Sequence, residues 1–422
     1  MACTVVRRHG YNAQVRVLVL LLSIYVVSSA AESVQDLESR GAALKSQGDA
    51  AGALAAYEQA AAQDPTSARL QDEAGFLLAV LHRREEAVER FRHAIDLDPK
   101  FAPAQYHLGV AYWLAEDHVR SIPLLESAVA LDPGNFDYRY RLGEALKSDG
   151  QFAEAVPHLR QAVALNPKRA DVWNSLGMAL QQTGDLTEAL DAYRHAVDLD
   201  PANLDARNNL GTTLVNTRQA DAGIAQYEKI LEADPSHIMA RVNLGRAYLQ
   251  KGDLDKAVEQ FQEALRRDPN LAGAHYDLGV ALKNKDEIEA AKAELQRALE
   301  IDPSMSEAHY TLGIAYWQTG AFDEAAKEMR AAIALRPDFG EAHLMLGTAL
   351  KQKGDLEGAE TALRTAIRLS PGDPGPYNTL GQLLRQKGDL EGSKAAFAKG
   401  QEVKRAKEAE LGTMLQRNDA VK

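Results

Sequence analysis

The sequence predicts an all-α chain, an α-α superhelical solenoid of eleven 34-residue helical hairpins. Three observations predict it. Glycine recurs every 34 residues from Gly41 to Gly381 without a slip. A proline stands 24 residues after each of the first ten of these glycines, from Pro65 to Pro371. Between these marks the apolar residues fall on two helical faces per repeat.

The first 31 residues read as an export signal. Arg7, Arg8 and Arg16 are followed by an apolar run over 17–27, broken by Ser23, and then by the small residues Ser28, Ser29, Ala30 and Ala31. A charged start, a short apolar core and small residues at a cleavage point are the features of a secretory signal. The run is too short to span a bilayer, which needs ~20 apolar residues; retention as an uncleaved anchor is the alternative. Cys3, the only cysteine, precedes the apolar run, so it is not placed for lipid attachment. A mature chain would then hold no cysteine, and neither a disulfide framework nor a thiolate metal site. Removing 1–31 takes three arginines and no acids, moving the formal charge from −12 to −15. Such a balance disfavours nucleic acid and anionic membrane faces, and no integral span is expected once the signal is cleaved.

With each beat glycine numbered as position 8, the repeats are 34–67, 68–101, 102–135, 136–169, 170–203, 204–237, 238–271, 272–305, 306–339, 340–373 and 374–407. Position 7 is Leu in nine of eleven repeats, position 11 is Leu or Tyr, and position 20 is always Ala, Ser or Gly. Position 24 is bulky, as in Tyr57, Phe91 and Phe261, and position 27 is Ala in nine repeats. Positions 4, 7, 8 and 11 share one helical face and 20, 24 and 27 share another. Small residues at 8, 20 and 27 let the two helices approach; the others fill the seam. Gly-Asp at positions 15–16 marks the turn in five repeats, such as Gly184-Asp185. The proline ends the second helix, since it has no N–H and disfavours helical geometry in the residue before it.

This pattern resembles the tetratricopeptide repeat (TPR) family, whose unit has Leu-Gly at 7–8, Ala at 20 and 27 and Pro at 32. The fifth repeat carries the resemblance most fully, with Trp173, Leu176, Gly177, Leu180, Ala189, Tyr193, Ala196 and Pro201. The likeness spans 34–407. Departures fall at the ends, where a solenoid needs caps: Arg40 replaces Leu in the first repeat, and Arg405 replaces the proline in the last. The final helix is therefore free to run on, and 408–422, with Leu411, Met414 and Leu415, is expected to form a C-terminal helical cap and tail. Pro123 and Pro157, inside second helices, predict mild kinks.

No phosphate-binding loop, dinucleotide fingerprint, zinc-protease or serine-hydrolase motif is present, and the repeats leave no domain-sized segment for one. No cofactor is implied. His275, His309 and His343 hold position 4 in successive repeats. Equivalent positions in stacked hairpins lie ~10 Å apart, which suits packing at the inter-helix seam and not one shared ion.

On a helical wheel, positions 2, 5, 6, 9, 12 and 13 of the first helix face away from its packing side. In the TPR family this face lines a concave groove that binds ligands, so the resemblance implies binding residues there. Tyr106, Trp113 and Tyr140 form one aromatic cluster at positions 5 and 12, and Tyr276, Tyr310 and Trp317 a second. Each is either a set of ligand anchors or packing between neighbouring first helices. Position 13 is an amide in seven consecutive repeats: Gln182, Asn216, Gln250, Asn284, Gln318, Gln352 and Gln386. Such a row would hydrogen-bond an extended backbone, or would simply be a solvated helix end. Asn174, Asn208, Asn209, Asn243 and Arg246 make the middle of this face polar. The position-6 pair Asn209 and Asn243 partly resembles the asparagine series of O-linked N-acetylglucosamine transferases, whose catalytic domain is absent here. The position-5 lysine of chaperone-binding TPRs is missing from every repeat.

The sequence thus points to an exported, non-enzymatic scaffold for a protein or peptide partner, as a possible component of a larger complex. The alternative is the non-catalytic arm of an enzyme system, glycosyltransferase-like or envelope-building, that presents substrate to a separate catalytic subunit.

Overall fold

The computed structural model describes residues 32–419, with side chains described over 32–410. The expected export signal at 1–31 lies outside the described residues. The chain divides into two compact units, 1–201 and 202–422, each a stack of helical hairpins.

The first unit contains α1 (Val34–Ser46), α2 (Ala50–Gln63), α3 (Ala68–Val80), α4 (Arg84–Leu97), α5 (Ala102–Trp113), α6 (His118–Leu131), α7 (Phe136–Ser148), α8 (Phe152–Leu165), α9 (Ala170–Gln182) and α10 (Leu186–Leu199). The second contains α11 (Leu204–Asn216), α12 (Ala220–Ala233), α13 (Ile238–Lys251), α14 (Leu254–Arg267), α15 (Ala272–Asn284), α16 (Ile288–Ile301), α17 (Ser306–Gln318), α18 (Phe322–Leu335), α19 (Gly340–Lys353), α20 (Leu356–Leu369), α21 (Pro374–Gln386) and α22 (Leu390–Asp419). Odd-numbered helices are the first of each hairpin, even-numbered the second.

The turns follow from local chemistry. Position 15 is left-handed in every repeat: glycine fills it in seven, from Gly48 to Gly388, and His82, Glu116, Arg218 and Asp286 hold the same geometry at φ 58–65°. That residue stops the first helix. The next residue caps the second, as where Asp185 accepts from the Glu188 N–H and Asp117 from the Arg120 N–H. At the far end, the residue before each proline is extended, such as Asp98 at φ −141° and Asp302 at φ −131°. Pro123 and Pro157 lie within α6 and α8, and both helices continue through them.

Within a hairpin, the position-8 glycine lets the position-24 side chain lie on bare backbone. A Cβ on Gly177 would sit 2.7 Å from the Tyr193 ring, and one on Gly245 would sit 2.6 Å from Phe261. Where position 20 is serine, its hydroxyl donates to that glycine's carbonyl: Ser121 to Gly109 at 2.8 Å and Ser393 to Gly381 at 2.7 Å. Each hairpin also packs on the next within its unit. There, from α3 to α9 and from α11 to α21, successive first helices touch, whereas among the described residues successive second helices do not. Like helices crowd on the inside of a curved stack, so the first helices line the inner face of each unit.

The last helix runs on past position 32, as the missing proline allows. Without a proline at 405, α22 runs unbroken over 30 residues, so the C-terminal extension is a continuation of the eleventh hairpin. The side chains of Leu411, Met414 and Leu415 lie outside the described residues. Among the described residues no helix is long and apolar enough to cross a membrane.

Candidate binding surface

The inner face is narrower than the helical wheel implies. Positions 2, 9 and 13 supply its most open side chains, including Met239, Met178 and Arg246. Positions 5, 6 and 12 are half-buried or buried in most repeats, because neighbouring first helices pack side by side along them.

In the first unit Tyr106, Trp113 and Tyr140 are brought together, but as parts of a stack with arginines that sequence reasoning missed. The Arg141 guanidinium lies 4.4 Å from the Trp113 ring centroid and 6.0 Å from that of Tyr140. Burial raises the Tyr106 hydroxyl, and the Arg141 cation opposes that shift. Tyr106 stacks on Tyr138 at 4.8 Å, and burial pushes the Tyr138 hydroxyl up to about 12. The Tyr140 hydroxyl donates to Asp171 at 3.3 Å. Arg169 forks onto the same carboxylate at 2.8 and 2.6 Å and covers Phe136 at 5.3 Å. The Arg169 hydrogen bond holds the Asp171 carboxyl below its ordinary range. The signal for this was visible: Arg141 is the only basic residue other than histidine at position 6 in eleven repeats.

The second cluster behaves differently. Tyr310 packs on Phe339 at 4.8 Å, and Trp317 lies half-buried against the apolar core of the last three hairpins. The Trp317 indole N–H is buried without a hydrogen-bond partner. Tyr276 is half-buried, and burial raises its hydroxyl. These three pack against their neighbours, the second of the two alternatives the sequence left open, and the two aromatic clusters are not equivalent.

The polar middle is internally paired. Asn243 donates to the Asn208 side-chain carbonyl at 2.9 Å, and Arg246 to Asp277 at 2.7 Å. Burial raises the Asp277 carboxyl while Arg246 pulls it back. Asn174 and Asn209 are half-buried on their helices, with Asn174 3.9 Å from the Met178 sulfur. All seven position-13 amides (Gln182, Asn216, Gln250, Asn284, Gln318, Gln352 and Gln386) are exposed. Gln250 donates to the Val215 carbonyl of the preceding first helix at 3.2 Å.

Position 4 carries a role unseen in the sequence. His275, His309 and His343 each donate from Nε2 to the carbonyl of the proline six residues back, at 3.1, 3.3 and 3.1 Å. The ring nitrogen must be the donor because a carbonyl only accepts. Trp173, Arg139 and Tyr377 make the same bond in their own repeats. On the other ring nitrogen, His275 meets Glu294 and His309 meets Glu328, both at 2.6 Å. The histidines thus tie each hairpin to the preceding turn, as packing predicts. Among the described residues no group of three or more His, Cys, Asp or Glu is placed to hold a metal.

Comparison with known proteins agrees with this geometry. Residues 179–414, more than half of the chain, match the family described as the cilia and flagella-associated protein 70 C-terminal domain. Residues 73–136 and 140–203 match that described as the tetratricopeptide repeat. No curated protein matches the chain. A tetratricopeptide repeat protein from Parabacteroides merdae shares the fold with a TM-score of 0.51 at 15% identity, over 59% of this chain and 98% of its own. Yeast Tom70 aligns at 14% identity over 91% of this chain and 96% of its own, with a TM-score of 0.46. YrrB, described as a TPR protein with an unusual peptide-binding site, aligns at 27% identity over 44% and 95%, with a TM-score of 0.42. Residue pattern, hairpin geometry and family matches agree: the chain belongs to the tetratricopeptide repeat family, and over 179–414 to that of the cilia and flagella-associated protein 70 C-terminal domain.

Proposed function

We propose that this protein is an exported, non-enzymatic scaffold that holds an extended or helical segment of a partner protein against the inner faces of its first helices. As a tetratricopeptide repeat protein it is an interaction scaffold; the finer reading is where and how it binds. The observation that carries it is the row of exposed amides at position 13, set beside a position 2 that is exposed in most repeats, on a face pre-formed by hairpin stacking. Amides both donate and accept, so they match a peptide backbone in either direction. A receptor that needs little ordering keeps more of its contact energy as affinity. Export rests on the charged start, short apolar core and small residues of 1–31. The acidic balance favours neutral or basic partners.

Site-specific photocrosslinking tests the face. A crosslinker at Gln250 or Gln318 should capture a partner that one at Glu289, exposed on a second helix, does not. Equal capture from Glu289 would refute the inner face as the binding surface. Fractionation with N-terminal sequencing tests export; a cytosolic chain of full length would refute it.

A further inference from the structure

The turn end of the third and fourth hairpins holds a cleft of about 470 Å³ lined by Trp113, Leu114, Glu116, His118 and Ser148. Its residues depart from the repeat where the cleft opens. Position 13, an amide in seven repeats, is Leu114, exposed at 59%. Position 17, Leu, Ile or Phe in seven repeats, is His118, whose Nδ1 is buried and makes no hydrogen bond. Position 15 is Glu116, exposed and outside every ion pair among the described residues. Of the nearby cations, Arg120 is held by Asp117 at 2.5 Å and Lys147 by Glu144 at 2.8 Å, while Arg141 lies over one face of the Trp113 indole and leaves the other to the cleft. The cleft therefore offers an indole and a leucine to an apolar stem, and a free carboxylate and a hydroxyl to a polar head.

We propose that this cleft takes one lysine or arginine side chain of the partner segment, with the methylene stem along Trp113 and Leu114 and the cationic head at Glu116. Side chains of that kind lay their stems on apolar surface while the charge stays hydrated or paired. The cation fits the free Glu116 carboxylate in a chain of net charge −12. The inference rests on the scaffold reading and names the partner's chemistry at one point of it.

The test titrates the full-length protein, labelled with 15N-tryptophan, with Nα-acetyl-lysine amide, Nα-acetyl-arginine amide and the uncharged Nα-acetyl-norleucine amide. Its three tryptophans report separately. The Trp113 indole signal should move saturably with both cationic probes, while the Trp173 and Trp317 signals stay in place. Glu116→Gln should weaken this binding roughly tenfold, since a charge-assisted hydrogen bond is lost. His118→Leu, which restores the side chain common at position 17, keeps the fold and weakens binding less. Norleucine amide acting at the same concentrations, all three signals moving together, or no effect of Glu116→Gln would each overturn the proposal. Crosslinking from Gln250 that persists while the lysine probe fails would overturn the cleft and leave the scaffold standing. Probe binding without any crosslinked partner would do the reverse.

Discussion

Replacing Gly245 by alanine should destabilise the seventh hairpin, although the same change stabilises most helices. In a helix interior, alanine is favoured over glycine by ~0.5–1 kcal/mol. At Gly245 the new Cβ would lie 2.6, 2.8 and 3.0 Å from Cε1, Cδ1 and Cζ of Phe261. That ring is fully buried and has nowhere to move without displacing α14. Overpacking of this kind costs ~1–3 kcal/mol, so the net loss reaches ~2 kcal/mol once the helix gain is subtracted. Gly273→Ala is the control: its Cβ would meet only Arg246 Nη2 at 3.7 Å, so the helical gain stands alone. Because hairpin arrays unfold locally, hydrogen exchange read helix by helix is the assay. Gly245→Ala should speed exchange in α13 and α14 by roughly tenfold or more, and Gly273→Ala should leave it unchanged or slower. If both substitutions changed exchange in the same direction, close approach would not be the reason for glycine at position 8.

Four further outcomes follow from the same geometry. Asp185→Ala removes the cap of α10 and should cost ~1 kcal/mol, read as earlier fraying of that helix in exchange. Trp317→Ala should destabilise the last three hairpins by less than the ~3–5 kcal/mol of a fully buried aromatic, since the ring is half-buried. Trp113→Ala, at the rim of an open cleft, should cost less and act mainly on partner capture; equal losses in melting would contradict the distinction. The Asp277 carboxyl titrates higher when folded than when unfolded, because burial outweighs Arg246. The folded state therefore holds that proton longer, and this group's contribution to stability is lost as pH rises through the folded value. Asp277→Asn should remove that slope, converging with wild type in acid and diverging above; identical pH profiles would refute it. Finally, EDTA should leave the melting transition unchanged, while His309→Ala, which strips Glu328 and the Pro303 carbonyl of their partner, should cost ~1–3 kcal/mol.

Much of this fold was legible because it depends on spacing. Glycine at 8, a bulky residue at 24 and proline at 32 each have one local meaning, and repetition removes the ambiguity of any single site. The turn at position 15 was only half legible. Gly-Asp announced it in five repeats, yet His82, Glu116, Arg218 and Asp286 adopt the same left-handed geometry without glycine. There the stacking of hairpins imposes a conformation that local preference opposes. The division at 201/202 left no mark, since the 34-residue beat runs straight through it. The binding face was legible to within a helix face and no further. A wheel treats one helix in isolation, whereas positions 5, 6 and 12 are claimed by the neighbouring first helix.

That competition explains why matching aromatic patterns have different surroundings. Tyr106 and Trp113 hold the same positions in their repeat as Tyr310 and Trp317 in theirs. What differs is the next repeat. After Trp113 comes Arg141 at position 6, which covers one face of the indole. After Trp317 come Leu344 and Met345 at positions 5 and 6, and Trp317 joins them against the core. The fate of a position-12 tryptophan is thus set by the repeat that follows it. In a chain this regular, the surroundings of a side chain are written in such pairwise departures from the repeat, and Leu114, Glu116 and His118 are three departures that meet at one opening.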